Sequence, residues 1–519
     1  MKFGKIVVLF MTAVLLAGAV FVWSREPGEA DFLPVTVKSA GGTEVLKCRE
    51  QSGGEYYVYL PGFGEVSYEE TEKAVSVFPS ANVASVFVDV RSGSMDYIHQ
   101  KKGNSEAGSM RIYNADGTLN FSGTFDSLQG RGSSTWTQEK KPYNLELSAE
   151  GDLLGMGAAK KWVLLANAMD PSQLRNKIVL DAAAALGMAY TPESKWANLY
   201  VNGEYMGLYL LCERIEVDPE RADLTGEDYF LVSKEWEWRM DAENEAYVQL
   251  SSKAALRLRD TNMEAEDVRL VFQSAENAIL AEDGIDPVTG RHWRELIDVD
   301  SWAMKYLIEE GFGNVDGGTL SQYFYYEGDK IYAGPVWDYD LSMGNTFAYP
   351  NPAANMLYVD RPEVYATVWY PALLQQEEFR LRVQELYITR FRPLVEMLAV
   401  GQMELYAMEV IQAGYVNTVR WLTGDPMEEM VAIQSYLMER IAFLDSYWFS
   451  GEEYATVLVW LPDDALLRYE VRVGDMLPQM PEYEGAGWYD KIGEQPFDVG
   501  QPIWEDTVIC WKTLTAEGT

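Results

Sequence analysis

The sequence predicts an α+β protein whose central core is flanked by small β modules, and three observations predict it. Short apolar runs punctuated by Gly, Ser and Pro fill residues 33–90 and recur as far as Leu147. Apolar residues at helical spacing dominate residues 363–449, for example Leu381, Val383, Leu386 and Tyr387. A last acidic, β-rich segment spans residues 454–515. With 519 residues, 48% hydrophobic and 13% aromatic, the chain is long enough for several folding units and too apolar to stay unfolded. The expected units are a signal peptide or signal anchor over residues 1–25, a small β-rich module over 30–105, a central domain over 106–450, and a compact β module over 454–515.

Taken in order, Lys2 and Lys5 precede an uncharged apolar run over residues 6–23, which is the pattern the export machinery reads. The run is close to the shortest that spans a bilayer as a helix. The expectation is an extracytoplasmic protein, with the run serving either as a cleaved signal or as a membrane anchor. Residues 56–62 and 84–90 read as strands of a small antiparallel module. A strand-rich stretch follows over residues 111–147, with a turn at Asn114-Ala115-Asp116-Gly117. Asp170 then reads as the N-cap of a helix with Pro171 in first position, running to Leu186 and stopped by Gly187. Residues 196–201 and 205–210 form a hairpin around Asn202-Gly203, and residues 265–281 a helix.

Composition narrows the chemistry. Asp and Glu number 80 against 42 Lys and Arg, a formal charge of -38 that repels phosphate backbones and anionic lipid, so no nucleic-acid partner is expected. Most of these acids are expected to be solvated surface charges. Cys48, Cys212 and Cys510 have no metal-ligand spacing, which excludes a disulfide scaffold and a zinc ribbon. His99 and His292 are isolated, so carboxylates must carry any acid/base or metal chemistry.

Three polar clusters interrupt the packing pattern. Arg131-Gly132-Ser133-Ser134-Thr135-Trp136 with Lys140-Lys141 offers backbone N–H groups and positive charge to an anion, or is a Ser-rich turn with solvated lysines. Asp170, Arg175, Asn176 and Glu213 read equally as an organised site or as structural ion pairs. The third joins Gly313-Asn314-Val315-Asp316-Gly317-Gly318 and Gln322 to Trp337-Asp338-Tyr339-Asp340. Strict strand alternation would put Asp338 and Asp340 on one face, where two carboxylates hold a cation, serve metal-assisted phosphoryl transfer, or are simply solvated.

These clusters occur in the order of a known family. The run from Arg131 to Trp136 with Lys140-Lys141-Pro142-Tyr143 resembles the RGNSTW…KKPY segment of the CotH family. The likeness continues through Leu174-Arg175-Asn176, Tyr200-Val201-Asn202-Gly203-Glu204-Tyr205-Met206-Gly207, Glu213, Asn314, Asp316 and Gly334-Pro335-Val336-Trp337-Asp338-Tyr339-Asp340. The resemblance implies an atypical protein-kinase-like core that binds ATP and Mg²⁺ (or Mn²⁺) and transfers phosphate to Ser or Thr of a surface or secreted protein. It implies Asp316 as catalytic acid/base, Asp338 as principal metal ligand with Asp340 and Gln322 in support, Arg131 and Lys141 as phosphate contacts, Arg175 as a further cofactor-binding residue, and Glu213 as a positioner of one of the phosphate-binding cations. Where relatives often carry Asn shortly after the catalytic Asp, this chain has Ser321-Gln322. Residues 469–478, 487–489 and 503–508 are similar to the internalin-type B repeat, which implies a β-grasp-like module of bacterial surface proteins. The alternative to a kinase is a surface-binding or adhesion protein that keeps the fold and binds a protein or glycan.

Overall fold

The computed structural model describes residues 32–235, 246–345, 354–359, 368–449, 454–462, 466–477, 480, 483, 486–491 and 495–513. The apolar run over residues 6–23 lies outside the described residues, and no described helix is long and apolar enough to cross a membrane.

The chain opens with β1 (Phe32–Ser39), β2 (Gly42–Arg49), β3 (Tyr56–Pro61), β4 (Glu65–Tyr68) and β5 (Val75–Ser80). β1 pairs antiparallel with β2 and β4, while β3 and β5 run parallel, a departure from the all-antiparallel expectation. Next come β6 (Ala84–Val90), β7 (Ser105–Tyr113), β8 (Leu119–Gly130), β9 (Tyr143–Asp152), β10 (Ala158–Leu165), β11 (Ser194–Val201) and β12 (Glu204–Glu213). They close into a seven-stranded barrel in the order β10-β12-β11-β6-β7-β8-β9. β6 belongs by sequence to the first β-rich stretch but is built into the barrel, parallel to β11.

Side-chain alternation assigns each barrel strand two jobs. Tyr209 and Leu211 of β12 fill the barrel interior with Val86, Ile112, Leu145 and Trp162. Leu208, Leu210 and Cys212, one step out of phase, pack against the helix Arg175–Ala185 and the larger core. Tyr200 and Tyr205 turn toward β1–β5, where they join Val35, Val58 and Tyr59. The β11–β12 hairpin forms as the sequence predicts, because Asn202 (φ 50°) and Gly203 (φ 86°) adopt the left-handed backbone of a two-residue turn.

The second half holds β13 (Phe230–Glu235), β14 (Tyr247–Gln249), β15 (Ala255–Thr261), β16 (Gln322–Glu327) and β17 (Lys330–Ala333), in the order β14-β15-β13-β16-β17. The helices Ala265–Leu280 and Val299–Phe312 and the helical stretch from Glu377 to Phe449 cover this sheet and the barrel flank. Trp302, Phe324, Phe272 and Trp369 meet at tilted and edge-on angles in that core, and each fully buried aromatic ring contributes about 1.5–3 kcal/mol. Finally β18 (Tyr454–Trp460), β19 (Leu466–Arg472), β20 (Ala486–Asp490) and β21 (Thr507–Thr513) form a separate sheet, order β19-β18-β21-β20, with β18 parallel to β21. Arg468 anchors it to Glu396 of the helical region at 2.8 Å.

The three cysteines sit on β2, β12 and β21 as free thiols. His99 bonds the Tyr143 hydroxyl at 2.8 Å and His292 accepts the Arg294 N–H at a helix start, both structural duties.

Candidate active site

The loops that carry the acidic clusters are brought together by strand pairing. Ser321 immediately precedes β16 and residues 334–340 follow β17. Because Phe324 pairs with Ala333, the start of β16 and the end of β17 lie side by side, and the Gly334 N–H bonds the Tyr323 carbonyl at 2.9 Å. The Asp316 loop and the Asp338 segment therefore emerge at one end of the hairpin. The Ser321 hydroxyl donates to Asp338 Oδ2 at 3.0 Å across that end.

Residues 334–340 are not a regular strand, and Asp338 has a positive φ of 73°. The two acids accordingly part company. Asp338 is exposed, whereas Asp340 is only 7% exposed. Burial pushes the Asp340 carboxyl well above the usual range, and the negative charges of Asp338, Asp170 and Asp316 push it further. The charges of three other carboxylates thus reach Asp340.

A buried network fixes the two acidic loops. The helix Val299–Phe312 is capped at its start by Asp298 and ends at Gly313, whose φ of 60° turns the chain sharply into the Asp316 loop. Glu309, fully buried in its last turn, takes Lys305 Nζ at 2.6 Å, the Tyr339 hydroxyl at 2.6 Å and Asn314 Nδ2 at 2.8 Å. Asn314 Oδ1 in turn accepts the Asp316 N–H at 3.1 Å. Tyr339 lies between the two acids of its own segment, and its N–H donates to Asn176 Oδ1 at 2.7 Å. One carboxylate therefore holds both loops.

Asp170 and Arg175 form a buried ion pair. Asp170 accepts from the Ser172 N–H and hydroxyl, from the Arg175 N–H, and from Arg175 Nη1 at 2.6 Å. Gln173 takes a φ of 63°, so the helix begins at Arg175 and not directly after Asp170 as the N-cap reading expects. Its end before Gly187 (φ 77°) is as expected. Arg175 also donates to the Ser342 carbonyl at 3.0 Å and reaches Glu429 at 3.2 Å, so its guanidinium ties the barrel side to the segment just beyond Asp340.

The cations divide differently from the sequence expectation. Arg131 stacks 5.3 Å above the Trp337 ring and faces Asp338, which opposes the downward pull of burial on its charge. Lys141 donates to the Trp136 and Gln138 carbonyls at 2.9 and 3.0 Å and lies over the Trp136 ring, on the side of His99. Its neighbour Lys140 points inward, bonding Gln173 Oε1 at 3.0 Å and the Leu208 carbonyl at 2.5 Å, with Asp170 the acid whose charge it feels. Adjacent residues of an extended chain face opposite ways, so only one of the two lysines reaches the interior. Glu213 pairs with Arg221 at 2.6 Å and accepts the Glu193 N–H at 2.8 Å, so it orients neither Arg131 nor Lys141. Burial raises its carboxyl to about 7. Gln322 is buried with its amide nitrogen on the Leu320 carbonyl at 3.1 Å, and Ser321 is the residue that touches Asp338.

Two contributors escape sequence reasoning. Lys234 lies opposite Gln322 in the β13–β16 register and donates to the Thr319 carbonyl at 3.0 Å, bracing the Asp316 loop, while burial brings its amine down to about 8. Lys305 is the second. It is a lone cation in the apolar run over residues 302–308, and that incongruity is the signal that marks it, whereas Lys234 stands between Ser233 and Glu235 and carries no such signal. A cleft of about 400 Å³ is lined by Met156, Thr191, Pro192, Glu213, Arg214 and Pro335, which precedes Asp338 by three residues; none of the four acids lines it.

Among the described residues, no three of His, Cys, Asp and Glu form a ready-made metal cage. An exposed Asp338, a buried Asp340 and the Ser321 hydroxyl are hard oxygen donors of the kind Mg²⁺ takes when it keeps waters and binds phosphate as well. The fold is mixed α+β, with the two acidic loops meeting at one end of the β16–β17 hairpin. Residues 128–410 match the CotH kinase protein family, more than half of the chain, and the protein belongs to that family. No curated protein matches it.

Proposed function

We propose that the protein is an extracytoplasmic CotH-type kinase that transfers the γ-phosphate of ATP to Ser or Thr of a surface or secreted protein. The observation that carries this reading is the meeting of Asp316, Asp338 and Asp340 at one end of the β16–β17 hairpin, with Arg131 beside Asp338. Family membership supports ATP and a divalent metal as cofactors.

In this reading Asp338 holds Mg²⁺ or Mn²⁺, with Asp340 and Ser321 in support. The metal supplies charge neutralisation for the phosphate oxygens. Arg131, set against Trp337, takes a phosphate oxygen from the barrel side. Asp316, kept in place by Asn314 and Glu309, orients the acceptor hydroxyl and receives its proton. The nucleoside lies in the cleft beside Glu213 and Arg214, with Pro335 joining cleft to acids. Lys140, Arg175 and Lys234 are positioning residues that tie the surrounding segments together.

The apolar run over residues 6–23 supports export and, where uncleaved, membrane attachment. The strand order β19-β18-β21-β20 with its central parallel pair supports an internalin-type β-grasp module. A second reading, a surface-binding protein without transfer, draws on the exposed Trp504 of that module and on Ser321 standing beside Asp338 in place of an amide. Calorimetry with Mn·ATP separates the two. The kinase reading expects saturable binding that Asp338→Ala abolishes, and wild-type protein that ignores Mn·ATP overturns it.

A further inference from the structure

A second cleft, of about 250 Å³, lies where β2, β3, the β11–β12 hairpin and the helix Met403–Trp421 meet. None of its lining residues belongs to the acidic cluster. One wall is aromatic: Tyr59 stacks on Tyr205 at 4.9 Å and on Phe78 at 5.6 Å, and Tyr57 meets Phe78 at 5.0 Å. Arg420 also lines the cleft.

Arg420 is held rigidly. Its helix is fastened to β12 by Asn417 Oδ1, which accepts the Leu208 N–H at 3.1 Å, and by Trp421 Nε1, which donates to the Met206 carbonyl at 2.8 Å. Arg420 Nε donates to the Tyr205 carbonyl at 3.3 Å, and the guanidinium stacks 4.1 Å from the Trp421 ring. Among the described residues no carboxylate lies on it, although acids outnumber bases 80 to 42 in the chain. Both acids of the cleft are already neutralised, Glu204 by Arg49 at 2.8 Å and Glu50 by Lys73 at 2.6 Å. The lining thus carries a local excess of positive charge in an acidic protein.

The Tyr59 hydroxyl completes the arrangement. It lines the cleft with Arg420, whose charge reaches it while burial raises it to about 12. A planar guanidinium with a phenolic donor suits a carboxylate, and a ligand ring suits the half-buried Tyr57.

We propose that this cleft binds a carboxylate-bearing sugar ring of the uronate class, with Arg420 and Tyr59 on the carboxylate and Tyr57 against the ring. The site is independent of the phosphotransfer reading. The ligand is either a free uronate or a unit of an acidic polysaccharide, and the shared chemistry is the same.

Titration calorimetry on the described chain tests it with glucuronate, its methyl ester, glucose and a glucuronate oligomer. Saturable binding of glucuronate is expected, weakened at least about tenfold by esterification or by Arg420→Gln, because the charge-assisted pair is lost. Tyr59→Phe, which leaves the stack intact, weakens it less. Tighter binding of the oligomer than of the monomer assigns the polymer as source, and binding of the monomer alone assigns the free acid. Equal affinity for glucuronate and its ester, no saturable binding of either acidic form, or wild-type affinity in both variants overturns the proposal.

Discussion

Replacing Lys305 by Met tests whether one buried ion pair holds the acidic loops. Lys305 and Glu309 are both 0% exposed and lie 2.6 Å apart. The Met side chain matches the lysine stem in volume, so packing is kept while the charge of Glu309 loses its counter-ion. Tyr339 and Asn314 still donate to that carboxylate, but neutral donors do not offset a buried charge. Breaking a buried pair from one side costs about 3–5 kcal/mol. For a domain of this size each kcal/mol lowers the melting temperature by about 2–4 °C, so a drop of about 6–20 °C is expected. Calorimetric melting reads it directly. Glu309→Gln introduced on top of Lys305→Met removes the stranded charge and should recover part of the loss. A single variant that melts within about 2 °C of wild type, or a double variant no more stable than the single, refutes the reasoning.

The other expectations are more local. Ser321→Ala should weaken Mn²⁺ binding about tenfold and Ser321→Asn should strengthen it, measured by Mn²⁺ electron paramagnetic resonance. Lys140→Met should destabilise by about 1–3 kcal/mol because Gln173 and the Leu208 carbonyl lose their donor, against less than about 1 kcal/mol for Lys141→Met, as denaturant titration would read. Glu213 is raised from 4.5 to about 7 in the folded protein, so it favours the protonated form there. The wild type should therefore lose stability as pH rises through that window, and Glu213→Gln should flatten the slope.

Much of this architecture is legible in the sequence because local signals coincide with tertiary ones. The Asn202-Gly203 turn, the Gly187 stop and the helix Ala265–Leu280 follow from backbone preference and periodicity alone. What the sequence hides depends on contacts between distant residues. Capture of β6 by β11 joins residues more than a hundred positions apart, and nothing in residues 84–90 announces a parallel partner. Asp338 and Asp340 read as one face of a strand, yet the positive φ at Asp338 separates an exposed acid from a buried one. Choosing between Lys140 and Lys141 needs the phase of the extended chain, which a doubled residue erases. Glu213 reads as a partner for Arg131 or Lys141 because its true partner, Arg221, follows only after a turn.

The most direct measurement is phosphate transfer from γ-labelled ATP to a Ser-rich acceptor with Mg²⁺ or Mn²⁺ present. The account predicts metal-dependent labelling by the wild type, none by Asp338→Ala, and none by Asp316→Asn although that variant still binds Mn·ATP. Labelling that survives Asp338→Ala, or a wild type that binds Mn·ATP and labels no hydroxyl acceptor, contradicts it.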